Sequence, residues 1–324
     1  MRRHDVVVNA VPDLTSWLLA GDPAVRWQVL GDLLDKPPEV VEPERARVAT
    51  EGWGARLLRE QSDDGTWGGG LYNPKWVSTN YTLLLLRQLG LPRGHPAANS
   101  ACRRLLDGAQ WYEGGLTFGR TVRVPETCIT AMVVSFAAIF EAVDHRVEGA
   151  IDWLLDNQLQ DGGWNCATVR TGSRHGSFHS TINALEALEA WLAARGPNVL
   201  VTEAADDGRE FLLAHRLFRS HRTGAVVDSR YTRPTFPTGW RFDILRGLDH
   251  FQRSRSARDP RLQDAIDLLH SRREVDGRWR MYAHHPGRYW FELEPAGAPS
   301  RINTLRALRV LRWWDKGQGA TTLP

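Results

Sequence analysis

The chain has 324 residues, of which 42% are hydrophobic and 14 are tryptophan, so it can build a large buried core. Its formal net charge of +3 is small and by itself implies neither a nucleic-acid nor a membrane partner. Three cysteines, an odd number at unrelated spacings, predict no disulfide framework. No apolar run approaches the roughly 20 residues of a membrane span, and the first residues make a poor signal peptide, so we expect a soluble, cytoplasmic protein.

Helical periodicity predicts twelve helices arranged as six consecutive pairs. The first pair covers about 13–35, where Asp22 and Pro23 supply a helix cap and a first-turn proline. The later pairs run over about 43–90, 96–142, 144–195, 199–256 and 259–315. We therefore interpret residues 1–324 as a single domain of helical repeats.

The repeats share a turn that joins the first helix of a pair to the second. Its clearest copy has Gln158, Gly162 and Trp164 at fixed offsets. Three further copies keep this spacing with at most one substitution: Gln61, Gly65 and Trp67; Gln110, Gly114 and Leu116; Arg273, Gly277 and Trp279. A looser copy begins at Arg209. Because one offset recurs every 48 to 62 residues or so, the chain is a repeat protein.

The two helices of each pair differ in character. The first helices are amphipathic, whereas the second ones, such as the stretch ITAMVVSFAAIF, are apolar around more of their surface. The first therefore suit an outer layer and the second an inner layer, and six pairs are enough to close a ring. This pattern predicts an all-α fold, an α/α toroid. The opening DPAVRW also looks like a HEAT-type repeat, so a HEAT-like array is the competing fold.

The turns Gln61–Trp67 and Gln158–Trp164 resemble the QW repeats of squalene and oxidosqualene cyclases and the related repeats of protein prenyltransferase β subunits. The resemblance covers about residues 50–315. It implies a terpenoid cyclase-type toroid that carries out acid-initiated cyclisation or isomerisation of an isoprenoid-like apolar substrate. The chain departs from that pattern because it lacks the DxDD and DDxxD motifs and is about half the size of the two-domain cyclases.

A prenyltransferase-like zinc site would need Asp, Cys and His at the inner helix starts. Cys166, His175 and His179 are available, and Cys128 could approach from the neighbouring repeat. Their spacing matches no short zinc signature, and they are more simply interpreted as ordinary residues. We therefore predict no metal and no cofactor.

Parallel inner helices bring their N-termini together at one mouth of a toroid, and this mouth is the predicted site. Glu126, in the segment Pro125–Cys128, stands where a cyclase would carry its acid, and His179 or Asp243 would be the base or proton relay. The predicted substrate-binding residues are Trp76, Tyr81, Thr181, Trp240, Arg241, Trp290, Arg301 and Asn303. Helix capping and ion pairing are the alternative explanation for these polar groups.

Three functions remain open from the sequence. A terpenoid cyclase-like enzyme predicts a dry, aromatic cavity with one protonated carboxyl group. A hydrolase or lyase on the same toroid, acting on a smaller polar substrate, predicts a wet and charged cavity. A non-catalytic binding scaffold predicts a filled centre. The expected partner is a small molecule, which for the first of these functions is an isoprenoid, and no nucleic acid is expected. The oligomeric state stays open.

Overall fold

The computed structural model describes residues 13–119 and 123–315. Residues 1–12, which carry most of the stretch assessed as a signal peptide, lie outside these ranges. Within them the helices are α1 (Leu14–Leu19), α2 (Pro23–Gln28), α3 (Pro38–Ala46), α4 (Gly52–Arg59), α5 (Thr79–Leu89), α6 (Pro96–Gly108), α7 (Thr127–Ile139), α8 (His145–Asp156), α9 (Ala167–Thr171), α10 (Phe178–Arg195), α11 (Val199–Ala214), α12 (Ile244–Arg253), α13 (Gln263–Ser271) and α14 (Arg301–Asp315). Four short strands are β1 (Gln110–Tyr112), β2 (Gly115–Thr117), β3 (Trp279–Arg280) and β4 (Pro299–Ser300). No helix in the described ranges is long and apolar enough to cross a bilayer.

Helices α2, α5, α7, α10, α12 and α14 form a closed inner ring. Helix α5 packs on α7, α7 on α10 and α12 on α14. The side chains of Arg246 in α12 and Glu186 in α10 form an ion pair of 2.7 Å. Helix α14 returns to α2, and the indole of Trp27 in α2 donates to the Leu89 carbonyl at the end of α5 at 3.0 Å. This closure confirms the predicted α/α toroid and excludes an open HEAT-like array.

The repeat turn joins each outer helix to the inner helix that follows. The indole of Trp164 donates to the Leu154 carbonyl at 2.7 Å, and its backbone N–H donates to the Thr181 hydroxyl at 3.0 Å. Gly162 has a φ of 81°, which favours glycine. The same two bonds recur at Trp67 and at Trp279. The tryptophans therefore pin the end of α4, α8 and α13 to the start of α5, α10 and α14.

Two regions differ from the predicted elements. Helical periodicity predicts a first helix over about residues 43–62 in the pair 43–90, but this stretch is divided between α3 and α4. Gly52 has a φ of 62°, and an added Cβ there would lie 2.0 Å from the Asp22 carboxylate. That carboxylate also accepts the backbone N–H of Trp53 at 2.8 Å. The turn at Gly114 is a small antiparallel hairpin that pairs Trp111 with Leu116. Local side-chain bonding and glycine conformation override helical periodicity in both places.

Candidate functional site

Aromatic side chains fill the mouth formed by the N-terminal ends of the inner helices. Trp76, Tyr81 and Trp290 line one apolar pocket, whose volume of 30 Å³ has room for only about two water molecules. The Trp76 ring lies 4.8 Å from that of Tyr81, centroid to centroid, and its indole donates to the Pro286 carbonyl at 3.0 Å. The Trp290 indole donates to the Thr82 hydroxyl at 3.1 Å. The loop around Pro286 therefore lies across the mouth.

Three other predicted site residues form a second group at the mouth. The Nδ1 atom of His179 accepts the backbone N–H of Phe242 at 2.9 Å, and its ring stands edge-on to Trp240 at 4.9 Å. The Arg241 guanidinium lies 4.7 Å from the Trp240 ring centroid. Burial, followed by the charge of Arg241, lowers the pKa of His179 to about 4. His179 is therefore neutral at pH 7, with Nδ1 as the acceptor.

Four predicted residues are engaged by neighbouring protein groups. The buried Asp243 carboxylate caps α12 through the backbone N–H of Arg246 at 2.9 Å, and burial raises its pKa. The Thr181 hydroxyl belongs to the Trp164 turn. The Asn303 amide donates to the carbonyls of Pro234 and Arg280 at 3.2 and 3.1 Å. The Arg301 side chain donates to the Trp17 carbonyl at 3.0 Å and lies over that indole.

Glu126 stands at the cap position of α7, and its carboxylate makes no cap hydrogen bond to that helix. It accepts from the Thr117 hydroxyl at 3.2 Å, and the Arg170 guanidinium lies 4.0 Å from it. In the described parts of the chain, no hydrogen bond or ion pair joins Glu126 to His179 or Asp243. The structure therefore gathers the predicted aromatic residues but does not link the three predicted catalytic residues directly.

A larger and very different cavity lies on the ring axis. Its volume is 250 Å³, and it extends toward the C-terminal ends of the inner helices, which Leu89, Ile139 and Arg253 mark. Gln88 lines both this cavity and the apolar pocket, and its amide donates to the Thr238 hydroxyl at 2.9 Å between them. In the described chain, the charged side chains of its wall are Arg45, Arg87, Arg246, Arg253, Arg306, Arg309, Glu186, Glu189 and Asp249. Six guanidinium groups thus face three carboxylates.

Sequence reasoning missed this cavity, although a signal for it exists. The aligned residues Asn183, Asp243 and Asn303 lie near the starts of equivalent inner helices. Three positions later the sequence has Glu186, Arg246 and Arg306, and six positions later Glu189, Asp249 and Arg309. Residues three apart share one face of a helix. A charge that recurs at these offsets in otherwise apolar helices indicates a polar lumen.

Most of the wall is held by ion pairs. Glu186 accepts from Arg87 at 2.8 Å and from Arg246 at 2.7 Å. Burial raises the pKa of Glu186, but the two guanidinium groups outweigh it and hold that pKa far below its usual value. Asp249 pairs with Arg309 at 2.5 Å. Burial opposes ionisation there as well, but Arg309 and its neighbouring arginines lower the pKa of Asp249 to about 2. These carboxylates stay charged.

Two buried side chains of the wall have unused hydrogen-bonding groups. The Nη1 atom of Arg306 has no partner among the described residues, although this side chain is only 8% exposed. Neither ring nitrogen of the buried His250 makes a hydrogen bond there. Its Nδ1 atom lies 3.3 Å from a Glu189 carboxylate oxygen, close enough for an ion pair. Buried polar groups are normally satisfied, so this part of the wall is suited to a ligand.

In the described ranges, no group of three or more His, Cys, Asp or Glu side chains is arranged to hold a metal ion. The candidates Cys166, His175 and His179 are not gathered in such a group. Cys128 and Cys166 do meet, as the sequence allowed, but their common neighbour is the Ser180 hydroxyl. The ionisable groups that line the axial cavity are therefore arginines, carboxylates and the His250 imidazole.

No protein-family model and no curated protein sequence matches the chain. Among solved structures, a protein from Actinoplanes matches with a TM-score of 0.46 at 16% identity and covers 90% of both chains. The type II terpene cyclase MstE from Scytonema matches with a TM-score of 0.44 at 17% identity, over 92% of this chain and 89% of that one. A variant of MstE in complex with geranylgeranyl dihydroxybenzoate, its substrate, scores 0.46 at 19% identity, over 93% and 86%. These values are too low to assign a reaction or a substrate to this chain.

Proposed function

We propose that the protein is an enzyme that binds a small anionic substrate in the central cavity and acts on it as a hydrolase or lyase. One observation carries this proposal: Arg306 and His250, both buried in the cavity wall, have side-chain nitrogens that make no hydrogen bond to a described residue. A carboxylate or phosphate group would satisfy the guanidinium, and the imidazole would then face the bound molecule.

The charge of the wall supports an anionic substrate. Six arginines and three carboxylates line the cavity, and the carboxylate of Asp32 additionally contacts Arg309 at 2.5 Å. An excess of positive charge therefore remains, and a recessed wall of this kind attracts an anion more strongly than a flat, open surface does. The volume of 250 Å³ lies below the roughly 300–1,000 Å³ typical of drug-sized ligands, which favours a small metabolite.

His250 is the proposed proton-transfer group. Hydrolysis and elimination both require a proton to be taken from water or carbon and given to a leaving group. A neutral imidazole can take that proton, and the resulting imidazolium would be stabilised by the Glu189 carboxylate 3.3 Å from Nδ1. Glu189 would also orient the ring, while Arg306 holds the substrate anion. The arginines that pair with Glu186 and Asp249 then hold the wall in place and take no part in the reaction.

Anion binding tests the proposal before any substrate is known. Thermal unfolding would be measured with inorganic phosphate, pyrophosphate and tricarboxylates at constant ionic strength. A ligand present at 100 times its Kd stabilises the folded state by about 2.7 kcal/mol, which gives a rise in Tm of several degrees. The rise should disappear in Arg306→Gln and persist in the matched control Arg301→Gln, whose side chain faces Trp17. Equal loss in both variants, or no rise in the wild type, contradicts the proposal.

Measurements of kcat and of binding affinity on variants would then distinguish residues that bind the substrate from residues that react with it. Once a bound anion leads to a substrate, His250→Gln should lower kcat by about 10²–10⁴-fold with little change in binding, since only proton transfer is lost. Arg306→Gln should instead weaken binding by about 10–100-fold, the usual worth of a charged hydrogen bond. A His250→Gln variant that retains full kcat excludes the imidazole from the reaction.

A second candidate is acid-initiated cyclisation or isomerisation of an isoprenoid at the mouth. It is supported by the shared apolar pocket of Trp76, Tyr81 and Trp290, aromatic faces of the kind that stabilise carbocations. Glu126 would be the acid, with His179 or Asp243 as relay, and the loop around Pro286 would have to open. Incubation with squalene and prenyl diphosphates, followed by chromatography for isomers of equal mass, tests it. Product formation that Glu126→Gln abolishes and that the control Glu39→Gln, an exposed residue of α3, retains would support this reaction.

A further inference from the structure

Two of the three cysteines meet at the N-terminal end of α7. Cys128 is the second residue of that helix, and Cys166 follows the Trp164 turn. The backbone N–H of Cys128 donates to the Cys166 sulfur at 3.1 Å. Cys102 is fully buried in α6, away from this pair. The chain therefore has one thiol pair and one isolated thiol.

The Ser180 hydroxyl holds the two sulfur atoms side by side. Its oxygen lies 3.3 Å from Cys128 Sγ and 3.5 Å from Cys166 Sγ, and it accepts the backbone N–H of Cys166 at 3.1 Å. Both cysteines are only half-buried, whereas Cys102 is completely enclosed. The pair therefore lies closer to the solvent than Cys102 does.

The two thiols differ in their affinity for protons. The hydrogen bond from Cys128 lowers the pKa of Cys166 to about 7, and the same interaction, together with burial, raises the pKa of Cys128. The first N–H groups of α7 favour a thiolate at Cys166. Glu126, a nearby carboxylate, opposes ionisation of both. Cys166 is thus the nucleophile, and Cys128 keeps its proton.

We infer that Cys166 and Cys128 form a peroxide-sensitive dithiol site that closes reversibly to a disulfide. The Cys166 thiolate attacks one oxygen of hydrogen peroxide, the O–O bond breaks, and a sulfenic acid and hydroxide result. The Cys128 sulfur then attacks the Cys166 sulfur, the S–O bond breaks, and the departing hydroxide leaves as water with the Cys128 proton. The two sulfurs lose two electrons in total, and the peroxide is reduced to water once the first hydroxide takes up a proton.

The bond would join the start of α7 to the segment that leads into α10. It would therefore cross-link two adjacent inner-helix starts at the mouth. A thiol reductant would reverse it. The central cavity and its arginines do not take part, so this site is independent of the proposed reaction.

Thiol counting on the full chain tests the site. After mild treatment with hydrogen peroxide, the wild type should lose two of its three titratable thiols and two hydrogen atoms of mass, and peptide mapping should place the bond between Cys128 and Cys166. Dithiothreitol should restore all three thiols. The matched control Cys102→Ser should form the same bond. Retention of three thiols, a bond that includes Cys102, or a bond between two chains overturns the proposal.

Single variants assign the roles. In Cys128→Ser, oxidation should stop at a sulfenic acid on Cys166, which dimedone captures. The reaction of Cys166→Ser with peroxide should be at least about tenfold slower than that of the wild type. If a variant does not fold, competitive labelling of the folded wild type with iodoacetamide answers the same question. Cys166 should be labelled about tenfold faster than Cys102 and Cys128. Equal labelling rates at the three cysteines would show that Cys166 is not activated.

Discussion

The mouth and the axial cavity of the ring use neighbouring positions of the same inner helices in opposite ways. At the mouth, Asp243 caps its own helix, and Asn303 bonds to backbone carbonyls of neighbouring segments. Three residues further into α14, Arg306 keeps an unused donor in a buried wall. Helix N-termini always need acceptors for their free N–H groups, so polar residues there have a structural explanation. Charges within apolar helices have no such explanation, and they are the better guide to function.

The largest expected difference in stability is between variants of two arginines that lie one turn apart in α14. Arg309 pairs with Asp249 and Asp32 and contacts Gln28, whereas the Arg306 guanidinium approaches Asp249 only to 3.6 Å. Arg309→Gln should lower the free energy of unfolding by about 3–5 kcal/mol because it removes the closest cation from both Asp249 and Asp32. Arg306→Gln should change it by less than about 1 kcal/mol. Urea denaturation measures both, and similar losses would mean that Arg306 is a structural residue too.

Acid should lower the free energy of unfolding by protonating Asp249 in the cavity wall. Its pKa of about 2 in the folded chain lies below the ordinary 3.8, so the unfolded chain takes up the proton first. The resulting stabilisation is present above about pH 5 and is lost as the pH falls toward 2, to the extent of about 2 kcal/mol. Urea midpoints measured across this range should fall more steeply in the wild type than in Arg309→Gln. Parallel curves would argue against this ion pair as the cause.

Substitution by glutamine should affect stability differently at two glutamates near the inner helix starts. Glu294 is buried and accepts from the Ser300 hydroxyl at 2.5 Å and the Arg301 N–H at 2.7 Å, while Glu126 makes no cap hydrogen bond to α7. Glu294→Gln should lower the free energy of unfolding by about 1 kcal/mol, as for a lost cap, and Glu126→Gln by less than about 0.5 kcal/mol. Thermal unfolding compares them. A larger effect at Glu126 would make it a structural residue of the mouth.

The smallest effect of a substitution concerns the imidazole at the mouth. His179 has a pKa lowered to about 4, so the unfolded chain binds the proton first and stability falls as the pH drops from about 6.5 toward 4. Arg241 is the second cause of this shift, and Arg241→Gln should raise the pKa of His179 by a fraction of a unit. Imidazole NMR titration of the folded protein checks both values. Titration of His179 near its ordinary pKa would contradict its burial.

The site was only partly predictable from the sequence. One pocket is lined by Trp76, Tyr81 and Trp290, and the first and last of these are over 200 residues apart in the chain. They meet because aromatic side chains near the inner helix starts converge once the ring closes. Glu294 was missed because it precedes its helix at a spacing set by an irregular loop. The charged cavity was missed because Glu186, Arg246 and Arg309 looked like ordinary helix charges until their shared offset was counted.

The sequence by itself determined the all-α repeat, because the tryptophan turn is local: Trp164 bonds to Leu154 ten residues before it and to Thr181 seventeen after it. Apolar periodicity likewise settled which helix of each pair lies inside. Only the tertiary structure decided which polar groups find partners. Arg309 meets Asp32 across 277 residues and is satisfied, while Arg306 on the same helix is not. Such pairing depends on where distant helices cross when the ring closes, and no short-range pattern encodes it.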